Sequence, residues 1–266
     1  MNISTRASTG NWRTPAIVLI CGGLALTIAL GTRHSFGLFL LPMTMDLEWN
    51  RQRFAFAMAL QNLVYGIAQP FTGMIADRFG AARVMVAGTV VYALGLLWMA
   101  NPGGGTDFSL SAGVMIGIAL SCSGFSIVFG VVGRAFPPEK RSMALGIAGA
   151  AGSLGQFVML PFGQLLINQL GWHNALMTLA LVVLVIAPLS AAMVEDGSTQ
   201  PASQSRQSVT EALREAGHHQ GFWLLCLAYT VCGFQVMFIS IHFPAYMVDQ
   251  HMSPEVGMRE IGRAHV

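Results

Sequence analysis

Arg33 and His34 are the only adjacent ionisable pair inside a long apolar stretch of this sequence. An arginine at the centre of a membrane-spanning helix costs about 2.5 to 3.5 kcal/mol on insertion scales, so a compensating partner is expected. One such partner is an anionic substrate in a central cavity. The alternative is that Arg33 lies in the outer third of a long helix and extends its guanidinium to the membrane surface. The residue types leave both interpretations open.

Several polar residues inside other apolar stretches are candidates for lining the same cavity. The alternative for each is an interhelical hydrogen bond, which contributes only about 0.6 kcal/mol on average. His242 is also a candidate for proton or substrate contact, and its alternative is a packed histidine near Pro244. Together with Arg33 and His34, the candidates for substrate binding are Gln61, Asn62, Tyr65, Gln156 and His242.

The sequence lacks the motifs of disulfide frameworks, metal sites, phosphate-binding loops and nucleophilic catalysis. The four cysteines lie in apolar runs without a CxxC pair or a histidine at metal-ligand spacing, which predicts neither a disulfide framework nor a zinc site. The triplet at 103–105 lacks the Lys-Ser/Thr of a phosphate loop, and the segment SCSG at 121–124 lacks the first glycine of a serine-protease motif. We therefore expect no enzyme, no cofactor and no metal.

The composition favours a membrane as the solvent. The 266 residues are 54% hydrophobic and only 10% charged, whereas soluble domains have roughly 25% charged residues. Fourteen Lys and Arg against 12 Asp and Glu give a net charge of +2, which is too small and too scattered for a nucleic-acid footprint. The expected surroundings are therefore a lipid bilayer, and nucleic acid is excluded as a partner.

Seven apolar stretches are long enough to cross a hydrocarbon core of about 30 Å as helices. Nine Lys and Arg fall in the loops of one side and two in those of the other, which places the N-terminus in the cytoplasm. No stretch has Asp or Glu in its middle, which favours an anion over a cation as the substrate. The stretches are residues 15–41, 54–76, 83–100, 109–132, 143–167, 173–194 and 221–247.

These stretches also define the predicted domain organisation. A polar linker at 195–220 separates the sixth stretch from the seventh. Within it Ser208 and Glu211 have the spacing of a helix capping box, so this part of the linker is expected to be either a short surface helix or a disordered tether. Seven spans predict a six-span bundle plus one orphan helix, which is typical of a fragment, so we expect a C-terminally truncated chain that lacks a second lobe. The predicted units are an N-terminus at 1–14, a six-span lobe at 15–194, a linker at 195–220, a seventh span at 221–247 and a tail at 248–266, of which 260–266 resembles a translated sequencing-library adapter.

A pattern recurs at an offset of 91 residues. Pro70-Phe71 and Gly80 at the end of the second stretch correspond to Pro161-Phe162 and Gly171 at the end of the fifth. The two stretches cross the membrane in opposite directions in the predicted topology. The pattern therefore predicts two three-span units of inverted orientation.

The segment GMIADRFGAAR, from Gly73 to Arg83, resembles the loop signature of the major facilitator superfamily. In that family the loop belongs to a cytoplasmic gate, so the resemblance implies that Asp77 helps to lock one state of the alternating-access cycle. Gly73 would permit close helix packing and Gly80 a tight turn. Arg78 and Arg83 would anchor the loop at the cytoplasmic face.

Two further segments resemble the monocarboxylate and oxalate/formate transporters of this superfamily: GTRHSFGLF at 31–39, followed by Trp49, and CGFQVMFISIHFPAY at 232–246. The resemblance implies an all-α membrane protein with the six-helix N-terminal lobe of the major facilitator fold, a 3+3 inverted repeat, plus a seventh transmembrane helix. It further implies secondary active transport of a small organic anion, with a proton as the candidate coupling ion, in a bacterial inner membrane. The alternatives are a drug or metabolite exporter of the same superfamily and a membrane fragment that does not transport.

Overall fold

The computed structural model describes residues 13–194 and 209–250, with the backbone alone for 209–213. Within these ranges every regular element is helical. Predictions on residues 1–12, on most of the linker and on the tail after residue 250, including 260–266, lie outside the described residues. Five helical stretches are long and apolar enough to cross a membrane: Pro15–Asp46, Ala81–Ala100, Gly105–Ala135, Pro138–Met193 and Gln220–Asp249.

Two elements explain why seven spans are predicted although only five stretches qualify: the helix Arg51–Phe79 contains one further span, and the stretch Pro138–Met193 contains two spans. The helix Arg51–Phe79 has 29 residues, which is about 44 Å of helix, but its polar residues lower its hydropathy. The stretch Pro138–Met193 has 56 residues, or about 84 Å, which exceeds twice the thickness of a bilayer core of about 30 Å. Its helix breaks at Gly171, between the predicted fifth and sixth spans.

The helices of the first half are numbered α1 to α7 in chain order. Local signals set their beginnings: Thr14 Oγ1 accepts a hydrogen bond from the Ile17 N–H before α1, and Asn50 Oδ1 accepts one from the Gln52 N–H before α3. The elements are α1 (Pro15–His34), a 3₁₀ turn (Ser35–Phe39), α2 (Leu40–Asp46), α3 (Arg51–Phe79), α4 (Ala81–Ala100), α5 (Gly105–Phe108), a π-helix (Ser109–Met115), α6 (Ile116–Ser123) and α7 (Phe125–Ala135).

The second half contains one long helix, two short helical pieces, and two further helices, the first of which lies in the predicted linker. The predicted surface helix corresponds to α10, whereas Ser208 and the Glu211 side chain of the capping box lie outside the described residues. The Trp223 Nε1–H donates to the Gly217 carbonyl (2.9 Å) at the start of the last helix. The elements are α8 (Pro138–Leu184), α9 (Ile186–Leu189), a 3₁₀ turn (Ser190–Met193), α10 (Val209–His218) and α11 (Gln220–Asp249).

The two copies of the 91-residue pattern have the same local conformation. Gly80 has φ 94° and ψ 136°, and Gly171 has φ 75° and ψ 164°. Each stands ten residues after a proline inside a helix, Pro70 or Pro161. A residue with a Cβ would be strained at either φ, so glycine is required where each helix ends. This correspondence supports the predicted repeat of the pattern, whereas the opposite orientation of its two copies stays a prediction.

The first span packs most closely on α8. A Cβ on Gly31 would contact the Gly155 carbonyl at 2.5 Å, and a Cβ on Gly155 would overlap the backbone of Thr27. The Thr27 hydroxyl donates to the Ala151 carbonyl (2.7 Å) at the same crossing. Small residues therefore allow α1 and α8 to approach closely.

Helix α11 packs on this lobe through the last part of its length. Its buried residues, from Ser240 to Met247, face the 3₁₀ turn of the first span and α2. A Cβ on Gly37 in that turn would overlap the Ser240 carbonyl. Earlier in α11 the side chains are exposed: Leu224 is 68% and Phe234 is 72% accessible. The residues of α11 that are buried against the lobe therefore all lie in its C-terminal part.

Candidate functional site

Arg33 lies deep in the first span. The nearer end of that span, Asp46, is 13 residues away, which is about 20 Å of helix. The guanidinium points toward α3 and α11, where its described contacts are found. The structure therefore does not show an Arg33 side chain extended to the membrane surface.

One face of α3 holds the guanidinium. Arg33 Nη2 donates a hydrogen bond to Asn62 Oδ1. Asn62 Nδ2 donates to the Met58 carbonyl (2.8 Å), which fixes the amide with its oxygen toward Arg33. One turn later, the Tyr65 ring lies with its centroid 4.9 Å from Arg33 Cζ, a cation–π distance. The predicted residues Asn62 and Tyr65 are thus brought together with Arg33.

The third contact of Arg33 comes from α11, where Met237 Sδ lies 3.5 Å from Nη2. A thioether is a weak hydrogen-bond acceptor, so this contact satisfies the donor poorly. Arg33 Nε is buried without a hydrogen-bond partner. The guanidinium of the half-buried Arg33 therefore retains hydrogen-bonding capacity.

The charge of Arg33 is not neutralised within the described part of the chain, where no carboxylate lies within 4 Å of it. A buried cation without a counter-ion is expensive, which makes this position suitable for one negative charge. The carboxylates with described side chains lie in loops, near helix ends or on α10: Asp46, Glu48, Asp77, Asp107, Glu139, Glu215 and Asp249.

Two other predicted residues make hydrogen bonds to backbone carbonyls. His34 is buried, and its Nδ1–H donates to the Leu30 carbonyl (2.8 Å) one turn earlier. Gln61 is buried on another face of α3, and its Nε2 donates to the Ala112 carbonyl of the π-helix (2.6 Å). For Gln61 this is the interhelical hydrogen bond that was the alternative to cavity lining.

Gln156 and His242 have fewer described partners. Gln156 is half-buried on α8, and its Oε1 is buried without a hydrogen-bond partner. His242 is half-buried on α11, and its ring centroid lies 5.1 Å from that of Phe238. The described contacts of Arg33 include neither residue, so their part in a site stays a prediction.

The loop signature lies beside a cavity of about 150 Å³ at one end of the lobe. Asp77 of α3 and Arg134 of α7 form an ion pair of 3.8 Å there. The close packing expected at Gly73 is absent, because a Cβ on Gly73 would meet no atom within 4 Å. The glycine lies at the cavity wall instead. The lining residues are Gly73, Ala76, Asp77, Ala81, Ser126, Ile127, Gly130 and Arg134.

The remaining signature residues lie around the turn between α3 and α4. The tight turn predicted at Gly80 is confirmed by its φ of 94°. Arg78 lies with its guanidinium carbon 5.3 Å from the centroid of the neighbouring Phe79 ring, and both residues are exposed. Arg83 is exposed on the first turn of α4. These positions are compatible with the surface anchoring that the resemblance implies.

At the opposite end of the lobe, contacts that the sequence did not predict join distant elements. Nη1 and Nη2 of Arg51 donate to the two oxygens of the Asp249 carboxylate, at 2.6 and 2.9 Å, which links α3 to the end of α11. The Trp172 Nε1–H donates to Asp46 Oδ2 (2.9 Å). Such pairs have no local signal, because their members lie more than 120 residues apart in the chain. Met237 was missed because an apolar residue in an apolar stretch looks like any other.

The comparison with protein families gives one match over nearly the whole chain, since the family model of the Major Facilitator Superfamily matches residues 11–262. The uncharacterized MFS-type transporter YcxA of Bacillus subtilis is 26% identical over 241 residues, covering 85% of this chain and 56% of that protein. Monocarboxylate transporter 11 of Mus musculus is 29% identical over 184 residues, covering 68% of this chain and 39% of that protein. The chain thus spans about half the length of the curated relatives it matches.

Among solved structures, a bacterial homologue of the human lysosomal transporter Spinster, in an inward-facing and unoccupied conformation, has a TM-score of 0.75 at 16% identity. The match covers 96% of this chain and 60% of that one. The all-helical fold expected from the sequence is therefore confirmed. Since the family model spans all the described residues, this chain belongs to the Major Facilitator Superfamily.

Proposed function

We propose that this chain forms part of a secondary active transporter of a small organic anion, and that Arg33 binds the carboxylate of that anion. The observation that carries the proposal is the half-buried Arg33 in the middle of the first span, whose Nε is buried and unpaired and which has no carboxylate within 4 Å among the described residues. The names of two relatives support it: the mouse monocarboxylate transporter 11 and a probable anion transporter of Arabidopsis thaliana.

The geometry favours one carboxylate over two. A carboxylate can accept two parallel hydrogen bonds from a guanidinium, and such charge-assisted pairs are about twice as strong as neutral ones. Arg33 offers Nε, which is unpaired, and Nη2, which contacts a weak acceptor. Within the described spans the other Arg and Lys side chains stand near the helix ends. A second carboxylate would therefore lack a cation, and a monocarboxylate is the proposed substrate class.

The proposal also covers the orientation in the membrane, the transport cycle with its coupling ion, and further residues of the cavity. The proposed location is a bacterial inner membrane with the N-terminus in the cytoplasm, which the distribution of Lys and Arg supports, and in this orientation the Asp77–Arg134 pair would lie on the cytoplasmic side. Alternating access with a proton as the coupling ion is the proposed cycle of the whole transporter, and His242 is the candidate proton carrier. His34 and Gln156 are proposed as additional polar groups of the cavity.

The test is binding of radiolabelled pyruvate to the purified chain in lipid nanodiscs, before and after substitution of Arg33. Arg33→Gln should weaken binding about 10- to 150-fold, because a hydrogen bond to a charged group contributes about 1.5 to 3 kcal/mol. The pyruvate affinity of Arg33→Lys should be intermediate, since lysine keeps the charge and loses the bidentate hydrogen-bonding geometry. Arg53→Gln, an exposed arginine at the start of α3, is the matched control and should bind like the parent chain.

Competition experiments test the substrate class in the same preparation. Unlabelled lactate should displace pyruvate, whereas succinate should be a weak competitor, because the described spans offer no second cation for its other carboxylate. A folded Arg33→Gln variant that binds pyruvate as tightly as the parent chain would falsify the assignment of Arg33. A lipophilic cation that binds in place of pyruvate would favour the drug exporter.

A further inference from the structure

Met237 marks the point at which α11 leaves the six-helix lobe. Toward the start of α11 the side chains of Phe234 and Gln235 are exposed, and from Ser240 onward the helix has buried residues. Met237 itself is half-buried, with its sulfur 3.5 Å from Arg33 Nη2. It is therefore the residue through which α11 contacts the proposed anion site.

The two hydrogens of Arg33 Nη2 have two acceptors in this structure, Asn62 Oδ1 and Met237 Sδ. One of these hydrogens points to the same side as the Nε–H, which has no partner. A carboxylate that binds the edge formed by Nε and Nη2 must therefore take the place of one acceptor. The Asn62 amide is held by its own bond to the Met58 carbonyl (2.8 Å), whereas the thioether is a weak acceptor on a flexible side chain.

We propose that a carboxylate bound to Arg33 displaces Met237, so that anion binding releases α11 from the middle of the lobe. This inference rests on the proposed function and identifies Met237 as the residue that couples anion binding at Arg33 to the position of α11. The other described contacts between α11 and the lobe, at Gly37 and Arg51, do not involve Arg33 and persist. Helix α11 would then pivot about its packed end.

The experiment measures the distance between α11 and α3 by pulsed electron resonance of two nitroxide labels in nanodiscs. Cys232, exposed on α11 five residues before Met237, carries one label. Leu63→Cys, which replaces an exposed residue of α3, carries the other. The other three cysteines are replaced by alanine. Pyruvate should shift the distance distribution of the parent chain, because the contact between Met237 and Arg33 is lost.

Two substitutions of Met237 should act in opposite directions. Met237→Leu keeps the size and removes the acceptor, so the distance without pyruvate should already resemble the pyruvate-bound one, and pyruvate should bind about two- to fivefold more tightly. Met237→Gln supplies a stronger acceptor, so pyruvate should bind more weakly. Met247→Leu, a buried methionine further along α11, is the matched control and should leave both measurements unchanged.

Unchanged affinity together with an unchanged distance response in Met237→Leu would overturn the inference, even if Arg33→Gln abolishes binding. If the parent chain binds no pyruvate, the proposed function fails instead. The comparison of parent and Met237→Leu distances without pyruvate then still decides whether Met237 holds α11. Equal distances in that comparison would overturn the inference as well.

Discussion

The two ends of the lobe differ in how they meet α11. At the end that contains Asp46, α11 lies against the Gly37 turn with its Ser240 backbone, and Arg51 pairs with Asp249. At the end that contains Asp77, the ion pair joins two helices of the lobe itself and lies beside a cavity of about 150 Å³. The two Arg–Asp ion pairs therefore join different elements. The Arg51–Asp249 pair links α11 to the lobe, whereas the Asp77–Arg134 pair links two helices within the lobe.

Side-chain size explains part of this difference. The absence of a Cβ at Gly37 lets two backbones approach directly, and such close contact is what stabilises helix association where the hydrophobic effect is weak. The first part of α11 presents large apolar side chains that are exposed, such as Leu224 at 68% accessibility. An interface that is tight at one end and open at the other is suited to a pivoting movement.

Gly37→Leu should have the largest effect on the tight end. The new side chain would overlap the Ser240 carbonyl, and overpacking of this kind costs about 1 to 3 kcal/mol, which is about a 5- to 150-fold shift toward the separated state. Ser240→Cys reports the change, because Ser240 is 3% accessible and a cysteine there should be modified only when α11 moves away. The measurement is the rate of modification by a thiol reagent in a chain without other cysteines.

Gly233→Leu is the matched control for this prediction. It places the same side chain on α11 at a position where a Cβ would meet no atom within 4 Å. Its modification rate should equal that of the parent chain. Equal rates for Gly37→Leu and Gly233→Leu would show that the Gly37 contact does not hold α11.

Arg51→Gln should have a smaller effect at the same end. The pair with Asp249 is half-exposed, with side-chain accessibilities of 49% and 43%, and solvent screens such pairs strongly. We expect about a twofold faster modification of Ser240→Cys, and the same increase in the parent chain at high salt. Exchanging the charges in the double variant Arg51→Asp, Asp249→Arg should restore the original rate. A double variant that is faster than Arg51→Gln would contradict a direct pairing.

Asp77→Asn should have the smallest effect on α11. Its pair with Arg134 is long, 3.8 Å, and the Asp77 side chain is 71% accessible, so the free energy of unfolding should change by less than about 0.5 kcal/mol. The modification rate of Ser240→Cys should not change, because neither residue of the pair contacts α11 in this structure. A rate as high as that of Gly37→Leu would mean that the two ends are coupled.

Much of the fold follows from local features of the sequence. Apolar stretches of suitable length predict the spans, and the proline and glycine positions at an offset of 91 residues predict where α3 and the first part of α8 end. Gly80 and Gly171 are predictable because their backbone conformation depends on the residue itself. Only the packing expected at Gly73 was wrong, because whether a small residue is used for close approach depends on the neighbouring helix.

The candidate site was predictable in part. Arg33 stands out because a cation inside an apolar stretch is costly, and Asn62 and Tyr65 share one helical face. The sequence could not assign Gln61 to a hydrogen bond with Ala112, since a polar residue in a membrane helix can face a cavity or another helix. Met237, Arg51 and Asp249 carry no signal of their own, and their partners lie about 200 residues away.

The sequence by itself determined that this chain is a bundle of membrane helices with an arginine inside one span, because hydropathy, helix breaks and the position of a charge in an apolar stretch are properties of the residues and their near neighbours. The tertiary structure decided what surrounds that arginine and where α11 meets the lobe. These contacts depend on which helix faces approach one another, and only folding brings residues so distant in the chain within hydrogen-bond distance.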